Sequence, residues 1–85
     1  MNTVNEQIIT IYAIKSSKDD RIYVRMSVNT EKRLEEHNSG KTKSTKGFRP
    51  WKIIFKEECL GWDNARRREK YWKSGCGKEQ LKRLI

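Results

Sequence analysis

Ile8-Ile9-Thr10-Ile11-Tyr12-Ala13-Ile14, a polar break at Ser16-Ser17-Lys18-Asp19-Asp20, then Arg21-Ile22-Tyr23-Val24-Arg25-Met26: this stretch decides the fold. Both apolar runs are dominated by β-branched and aromatic residues, and the break between them is polar, so the pattern predicts two strands joined as a hairpin. The first strand is expected over residues 8–15 and the second over 21–27. Side chains alternate along a strand, so Thr10, Tyr12 and Ile14 share one face, and Tyr23 shares one with Arg21 and Arg25. A turn over residues 17–20 pairs Tyr12 with Arg25. A two-residue slip pairs it with Tyr23. Either register keeps the two tyrosines on one face, and the sequence does not choose between them.

Downstream, Asn29 caps an expected helix over residues 30–37, with Glu31 in the first turn where the helix dipole favours an acid. Asn38-Ser39-Gly40 ends it. Arg33 and His37, four residues apart, lie on the same side of this helix, and Leu34 is its expected apolar anchor. Residues 41–50 form a basic loop without hydrophobic period, carrying Lys41, Lys43, Lys46 and Arg49, and residues 51–57 read as a third strand. A helix then starts at Gly61 or Asp63 and stops at Gly75. Trp62, Ala65, Glu69, Trp72 and Cys76 fall on its inward spacing. Glu69 is the acid within that apolar stripe, and a buried lone carboxylate demands a cation or hydrogen-bond donors. The run Arg66-Arg67-Arg68 winds around the helix and cannot present all its members to one ligand. A short last helix is expected over residues 77–85, carrying Leu81, Leu84 and Ile85.

The chain has 85 residues, enough for one small core. We expect a loose lead-in over residues 1–7 and one domain over residues 8–85. Hydrophobic residues make up 34% and charged residues 36%, yet three Trp, three Tyr and two Phe supply large burial units, so a folded domain with a thin core is expected. A formal net charge of +9 favours polyanionic partners, nucleic acid first and an anionic membrane surface second, although no long amphipathic basic helix supports the latter. No run is long and apolar enough for a membrane span, and the polar start carries no export signal, so a cytoplasmic setting is expected. Cys59 and Cys76 are then expected reduced, without a disulfide. With no Cys-x-x-Cys pair and a single His, a zinc site is not expected.

The order of Tyr12 strand, Tyr23 strand, Arg33, His37 and helical Glu69 resembles the GIY-YIG nuclease superfamily, in particular its small stand-alone members related to the nuclease domain of excinuclease C. Residues 33–41 (Arg-Leu-Glu-Glu-His-Asn-Ser-Gly-Lys) are similar to that family's first helix and its exit. Residues 45–52 (Thr-Lys-Gly-Phe-Arg-Pro-Trp-Lys) resemble its entry into the third strand, and residues 65–70 (Ala-Arg-Arg-Arg-Glu-Lys) its metal-site helix. The resemblance implies an α+β fold, a small three-stranded and mainly antiparallel sheet flanked by helices. It also implies a phosphodiester hydrolase of the DNA repair or recombination type. Two departures stand out. Thr10 replaces the glycine of the first motif, and Arg25 replaces the glycine of the second. Near the end of the domain, only Gln80 is a loose match for the family's polar residue.

On the family comparison, water attacks a phosphodiester in line, assisted by one divalent ion, magnesium or manganese, held by Glu69. Arg33 clamps the scissile phosphate. Tyr12 or Tyr23 activates or orients the water, which requires nearby cations to lower a phenol pKa. His37 relays a proton or bonds a phosphate oxygen. Arg25 either fills the phosphate pocket or binds phosphate and favours an ionised phenol. Lys41, Lys43, Lys46 and Arg49 follow a nucleic-acid backbone, DNA in the first instance, with Phe48 and Trp51 either stacking on bases or belonging to the core. A domain this small leaves room for a homodimer to hold a duplex. Two competing readings are a nucleic-acid-binding module whose catalysis Arg25 impairs, and an interaction domain whose basic face meets an acidic protein.

Overall fold

The first apolar run becomes the middle of a sheet, and everything else is arranged on its two faces. In the computed structural model, which describes residues 7–85, the elements follow the order β1 (Ile8–Ser16), β2 (Ile22–Ser27), α1 (Thr30–Ser39), α2 (Lys43–Lys46), β3 (Trp51–Leu60), α3 (Trp62–Lys73) and α4 (Gly75–Lys82). The sheet is antiparallel throughout, ordered β2-β1-β3. This is the expected α+β architecture. Of the lead-in expected over residues 1–7, all but Gln7 lies outside the described residues.

The hairpin adopts the first of the two registers, with Tyr12 opposite Arg25 and Ile14 opposite Tyr23. The Ser16 amide closes it on the Arg21 carbonyl at 3.0 Å. Inside the turn, Asp19 Oδ1 accepts from the Arg21 amide at 2.9 Å. The two tyrosines are therefore diagonal neighbours on one face. Against β3, β1 shifts register between Ala13 and Ile14, so that Ala13 pairs with Phe55 and Ile14 with Ile53, leaving Ile54 as the extra residue.

Both faces of β1 are covered, which is why it reads as a continuous apolar run rather than an alternation. One face sends Ile9, Ile11 and Ala13, with Ile22, Val24 and Cys59, against Ala65 and Trp72 of α3 and Leu81 of α4. The other gathers Tyr12, Ile14 and Trp51, with Tyr23, Leu34, Phe48 and Ile53 packed around them. Each fully buried isoleucine contributes about 1.5–3 kcal/mol through removal from water.

Asn29 caps α1 by accepting from the Lys32 amide at 3.1 Å, and Gly40 ends it at φ 86°, a left-handed position that suits glycine. The helix docks differently from expectation: its buried residues are Thr30 and His37, while Leu34 is only partly covered. Strand β3 runs three residues further than expected, to Leu60, and the basic loop contains the single turn α2.

The stripe on α3 stops at Trp72. Ser74 breaks the helix in an extended conformation and caps α4 by accepting from the Gly77 amide at 3.3 Å. Cys76, expected on that stripe, is consequently exposed, and α4 ends at Lys82, before Leu84 and Ile85 of the expected last helix, which are also exposed. Both cysteines are free. No helix among the described residues is long and apolar enough to cross a membrane.

Glycine is required where α4 folds back on α3. A Cβ on Gly77 would lie 2.4 Å from the Tyr71 carbonyl oxygen and 2.5 Å from Trp72 Cα, whereas one on Gly75 would meet nothing within 4 Å. Gly77→Ala is expected to lower stability by about 1–3 kcal/mol through overpacking against backbone. Gly75→Ala is expected to stay within about 0.5 kcal/mol of the unsubstituted protein. Urea denaturation of the two variants checks the contrast, and equal midpoints would contradict the close helix contact.

Candidate functional site

The second face of the sheet is built from groups that ordinary cores exclude. Tyr12 is fully buried, as are His37 and Thr45. Their polar atoms form one line. The Tyr12 hydroxyl lies 3.2 Å from His37 Nε2, and His37 Nδ1 lies 3.0 Å from Thr45 Oγ1. Thr45 Oγ1 also donates to the Thr42 carbonyl at 3.3 Å, and the Thr45 carbonyl accepts from Trp51 Nε1 at 2.8 Å. Among the described residues no buried side-chain nitrogen or oxygen lacks a partner.

Helix geometry brings Arg33 to this line. It sits one turn before His37, within reach of the Tyr12 phenol, and pairs with Glu36. Its side chain is 40% exposed, so the guanidinium stands between the buried phenol and solvent. Burial pushes the Tyr12 phenol above its ordinary 10.0, against the opposing pull of Arg33 and Arg25. Arg33 and Arg25 pull this phenol down, as expected of nearby cations, and desolvation of the buried phenolate outweighs the two of them. His37 moves the other way. Burial, aided by the Arg33 and Arg25 charges, pushes it below 6.5 and keeps the imidazole neutral.

Tyr23 is the accessible phenol. Its ring stacks on Trp51 with centroids 5.0 Å apart, and its hydroxyl donates to the exposed Ser44 carbonyl at 3.4 Å. Arg25, opposite Tyr12 in the register, bends back so that its Nη1 donates to the Val24 carbonyl at 2.9 Å while its guanidinium carbon lies 4.9 Å from the Tyr23 ring centre. It occupies the space beside the accessible phenol.

Glu69 stands apart from this group. It lies on α3 between Ala65 and Trp72, which pack on the opposite face of the sheet. Its carboxylate is 19% exposed and its cation is Lys73, at 3.4 Å. The two faces meet at the β2 edge. There Lys78 donates to the Ile22 carbonyl at 2.9 Å. Burial pushes the Lys78 pKa down, as do the charges of Lys82, Arg25 and Lys73, so the partner of Glu69 and the arginine over Tyr23 act on the same amine. The acid most heavily bonded on α3's face is Glu57, which the sequence places only at a strand end. Glu57 accepts from Arg68 Nε at 2.5 Å, Arg68 Nη2 at 3.0 Å and Trp72 Nε1 at 3.0 Å. The Arg68 hydrogen bonds hold its carboxyl below the usual range.

The basic loop is ordered by the hairpin turn. The Ser17 amide donates to the Pro50 carbonyl at 2.9 Å and Ser16 Oγ to the Phe48 carbonyl at 2.7 Å. Lys41, Lys43 and Lys46 are exposed, and Arg49 bonds the Lys46 carbonyl at 2.9 Å. Two cations unassigned from sequence join them. Lys18 Nζ lies 3.5 Å from the Gly47 carbonyl, and Arg21 caps the Phe48 ring at 3.5 Å. Trp51 belongs to the core, being 3% exposed. Gln80 bonds the Tyr71 hydroxyl on an exposed surface.

Among the described residues no three of His, Cys, Asp and Glu cluster to hold a metal. Glu69 is a single carboxylate with one lysine partner. That donor set suits a hard cation that keeps most of its water, as magnesium does.

Comparison with known proteins agrees with this architecture. The model of the GIY-YIG catalytic domain matches residues 8–82. A UPF0213 protein of Syntrophus aciditrophicus is 38% identical over 73 residues, covering 84% of this chain and 83% of its own length. Another UPF0213 protein, from Staphylococcus haemolyticus, is 33% identical over 75 residues, covering 87% of this chain and 90% of its own. No solved structure matches the chain.

The neutral, buried imidazole has a consequence for stability. With its folded pKa below 6.5, His37 leaves the unfolded chain binding a proton that the folded chain refuses. Stability is fully present above about 6.5 and is lost as pH falls toward the depressed folded value. His37 is the single histidine, so His37→Gln should remove this slope even though it lowers stability throughout. Urea midpoints above and below the window check it. Equal pH slopes for both proteins would overturn the assignment.

Proposed function

The chain belongs to the GIY-YIG family, and on that premise we propose that it is a metal-dependent endonuclease hydrolysing phosphodiester bonds in DNA, of the repair or recombination type. The observation that carries this reading is the placement of Arg33. A half-exposed guanidinium stands one helical turn from a buried, fully hydrogen-bonded chain, on a sheet face that also carries the accessible phenol of Tyr23.

The roles divide by exposure. Arg33 is the phosphate clamp: its planar fork keeps its charge and matches two phosphate oxygens. Tyr23, whose hydroxyl reaches an exposed carbonyl, is the phenol able to meet water and orient it for attack. Tyr12 and His37 lie too deep to touch substrate and serve as positioning residues for Arg33. Glu69 holds the divalent ion. When bound, such an ion supplies positive charge for the oxygen that leaves. Lys41, Lys43, Lys46 and Arg49, extended by Lys18 and Arg21, neutralise the flanking backbone, which predicts binding that weakens steeply with salt.

One observation favours a second reading. The guanidinium of Arg25 lies over the ring of Tyr23, where the family has glycine, and there it obstructs substrate approach. The protein is then a nucleic-acid-binding module with impaired catalysis.

Incubation with branched, nicked and linear DNA in magnesium or manganese separates the two. Arg33→Ala and Glu69→Ala are each expected to reduce cleavage by about 100-fold to 1000-fold. Cleavage unchanged by Glu69→Ala removes the metal assignment. Cleavage that emerges only in Arg25→Gly supports the second reading.

A further inference from the structure

The hydrogen bonds in the buried line are linked, so the tautomer of His37 sets the direction of two of them. At the inner end, the Thr42 carbonyl can only accept; it takes the Thr45 and Lys46 amides at 3.1 and 2.9 Å, and Thr45 Oγ1 directs its single proton to the same oxygen at 3.3 Å. Thr45 Oγ1 then faces His37 Nδ1, 3.0 Å distant, with lone pairs alone, and Nδ1 must carry hydrogen. A neutral imidazole has one N–H. Nε2 is therefore bare and accepts the Tyr12 hydroxyl proton across 3.2 Å. At the outer end, Arg33 has only donors, and its charge acts on the Tyr12 phenol.

The reverse direction fails at the phenol. An Nε2–H aimed at Tyr12 would leave the phenol proton competing with Arg33 N–H groups, without an acceptor, inside a fully buried site. It would also draw the Thr45 proton away from the Thr42 carbonyl. The Tyr12 hydroxyl, whose one hydrogen-bond partner among the described residues is His37 Nε2, and the Thr45 donation to a carbonyl select the same arrangement.

We propose that Thr45 is a positioning residue of the site: its hydroxyl locks His37 as the Nδ1–H tautomer, which draws the Tyr12 proton inward and turns the Tyr12 lone pairs toward Arg33. The value of this lock to catalysis rests on Arg33 being the phosphate clamp, whereas the tautomer itself does not. A locked phenol oxygen gives the guanidinium one defined seat. Its remaining N–H groups point outward, where a phosphate would meet them.

His37 is the single histidine of the chain, so its ring nitrogens are read without ambiguity. Long-range proton–nitrogen correlation spectra of the nitrogen-15-labelled protein distinguish the two tautomers. The unsubstituted protein is expected to show hydrogen on Nδ1 and a bare Nε2. Thr45→Val keeps the branched shape without the acceptor and is expected to shift the tautomer ratio toward Nε2–H by up to about tenfold, the value of one neutral hydrogen bond. Thr45→Ser is expected to restore it. Hydrogen on Nε2 in the unsubstituted protein overturns the proposal, as does an unchanged ratio in Thr45→Val. If Thr45→Val does not fold, the unsubstituted spectrum decides. Cleavage does not enter these readouts, so a failed tautomer test and a failed nuclease assay remain distinguishable.

Discussion

A phenol hydroxyl placed in the middle of a closed sheet face has to be satisfied, and much of the arrangement on that face follows. Tyr12 sits on the central strand with no exposure. Leaving its hydroxyl without a partner would cost about 1–3 kcal/mol. His37 and Thr45 meet that demand, and each belongs to a segment with little apolar grip of its own. Helix α1 has only a partly covered Leu34, and α2 is a single turn. The polar chain thus does for these segments what leucines do elsewhere: it selects where they dock. Arg33 inherits its place at the mouth because it is one turn away from His37.

The opposite face follows different physics. There Ile9, Ile11 and Ala13 meet Ala65, Trp72 and Leu81, and the polar insertion is Glu57 with Arg68 and the Trp72 indole. Packing density governs that side, as the close approach at Gly77 shows. Stability and site chemistry are thereby divided between two faces of one strand. Glu69 belongs by helix to the apolar side, and its partner Lys73 is among the charges that act on Lys78 at the β2 edge.

Much of this was legible in the sequence because it is periodic. The hairpin, the shared face of Tyr12 and Tyr23, the Asn29 cap and the joint placement of Arg33 and His37 all follow from spacings of two and four. The register was settled by hairpin closure between Ser16 and Arg21, a backbone contact that no side-chain pattern records. Thr45 left no trace, since it lies in an aperiodic basic run and its importance comes from a helical residue eight positions away. The burial of Tyr12 was hidden for a related reason. Alternation assigns a residue to a face without saying what covers that face. Cys76 was misplaced because Ser74, one polar residue, ends one helix and caps the next.

The depth of the two tyrosines bears on how such a site can run at neutral pH. If Tyr12 were the ionised phenol, Arg33 and Arg25 would have to overcome its burial, and they do not. Two cations beside a neutral imidazole have a different effect: they join burial in keeping His37 unprotonated. A neutral His37 is what allows the hydrogen-bond chain to have a single direction, since imidazolium would donate from both nitrogens and meet Arg33 donors at the same phenol oxygen. The charges near Tyr12 thus work with burial at the histidine and against it at the phenol. Arg25 contributes to that effect from across the hairpin while its guanidinium lies over Tyr23.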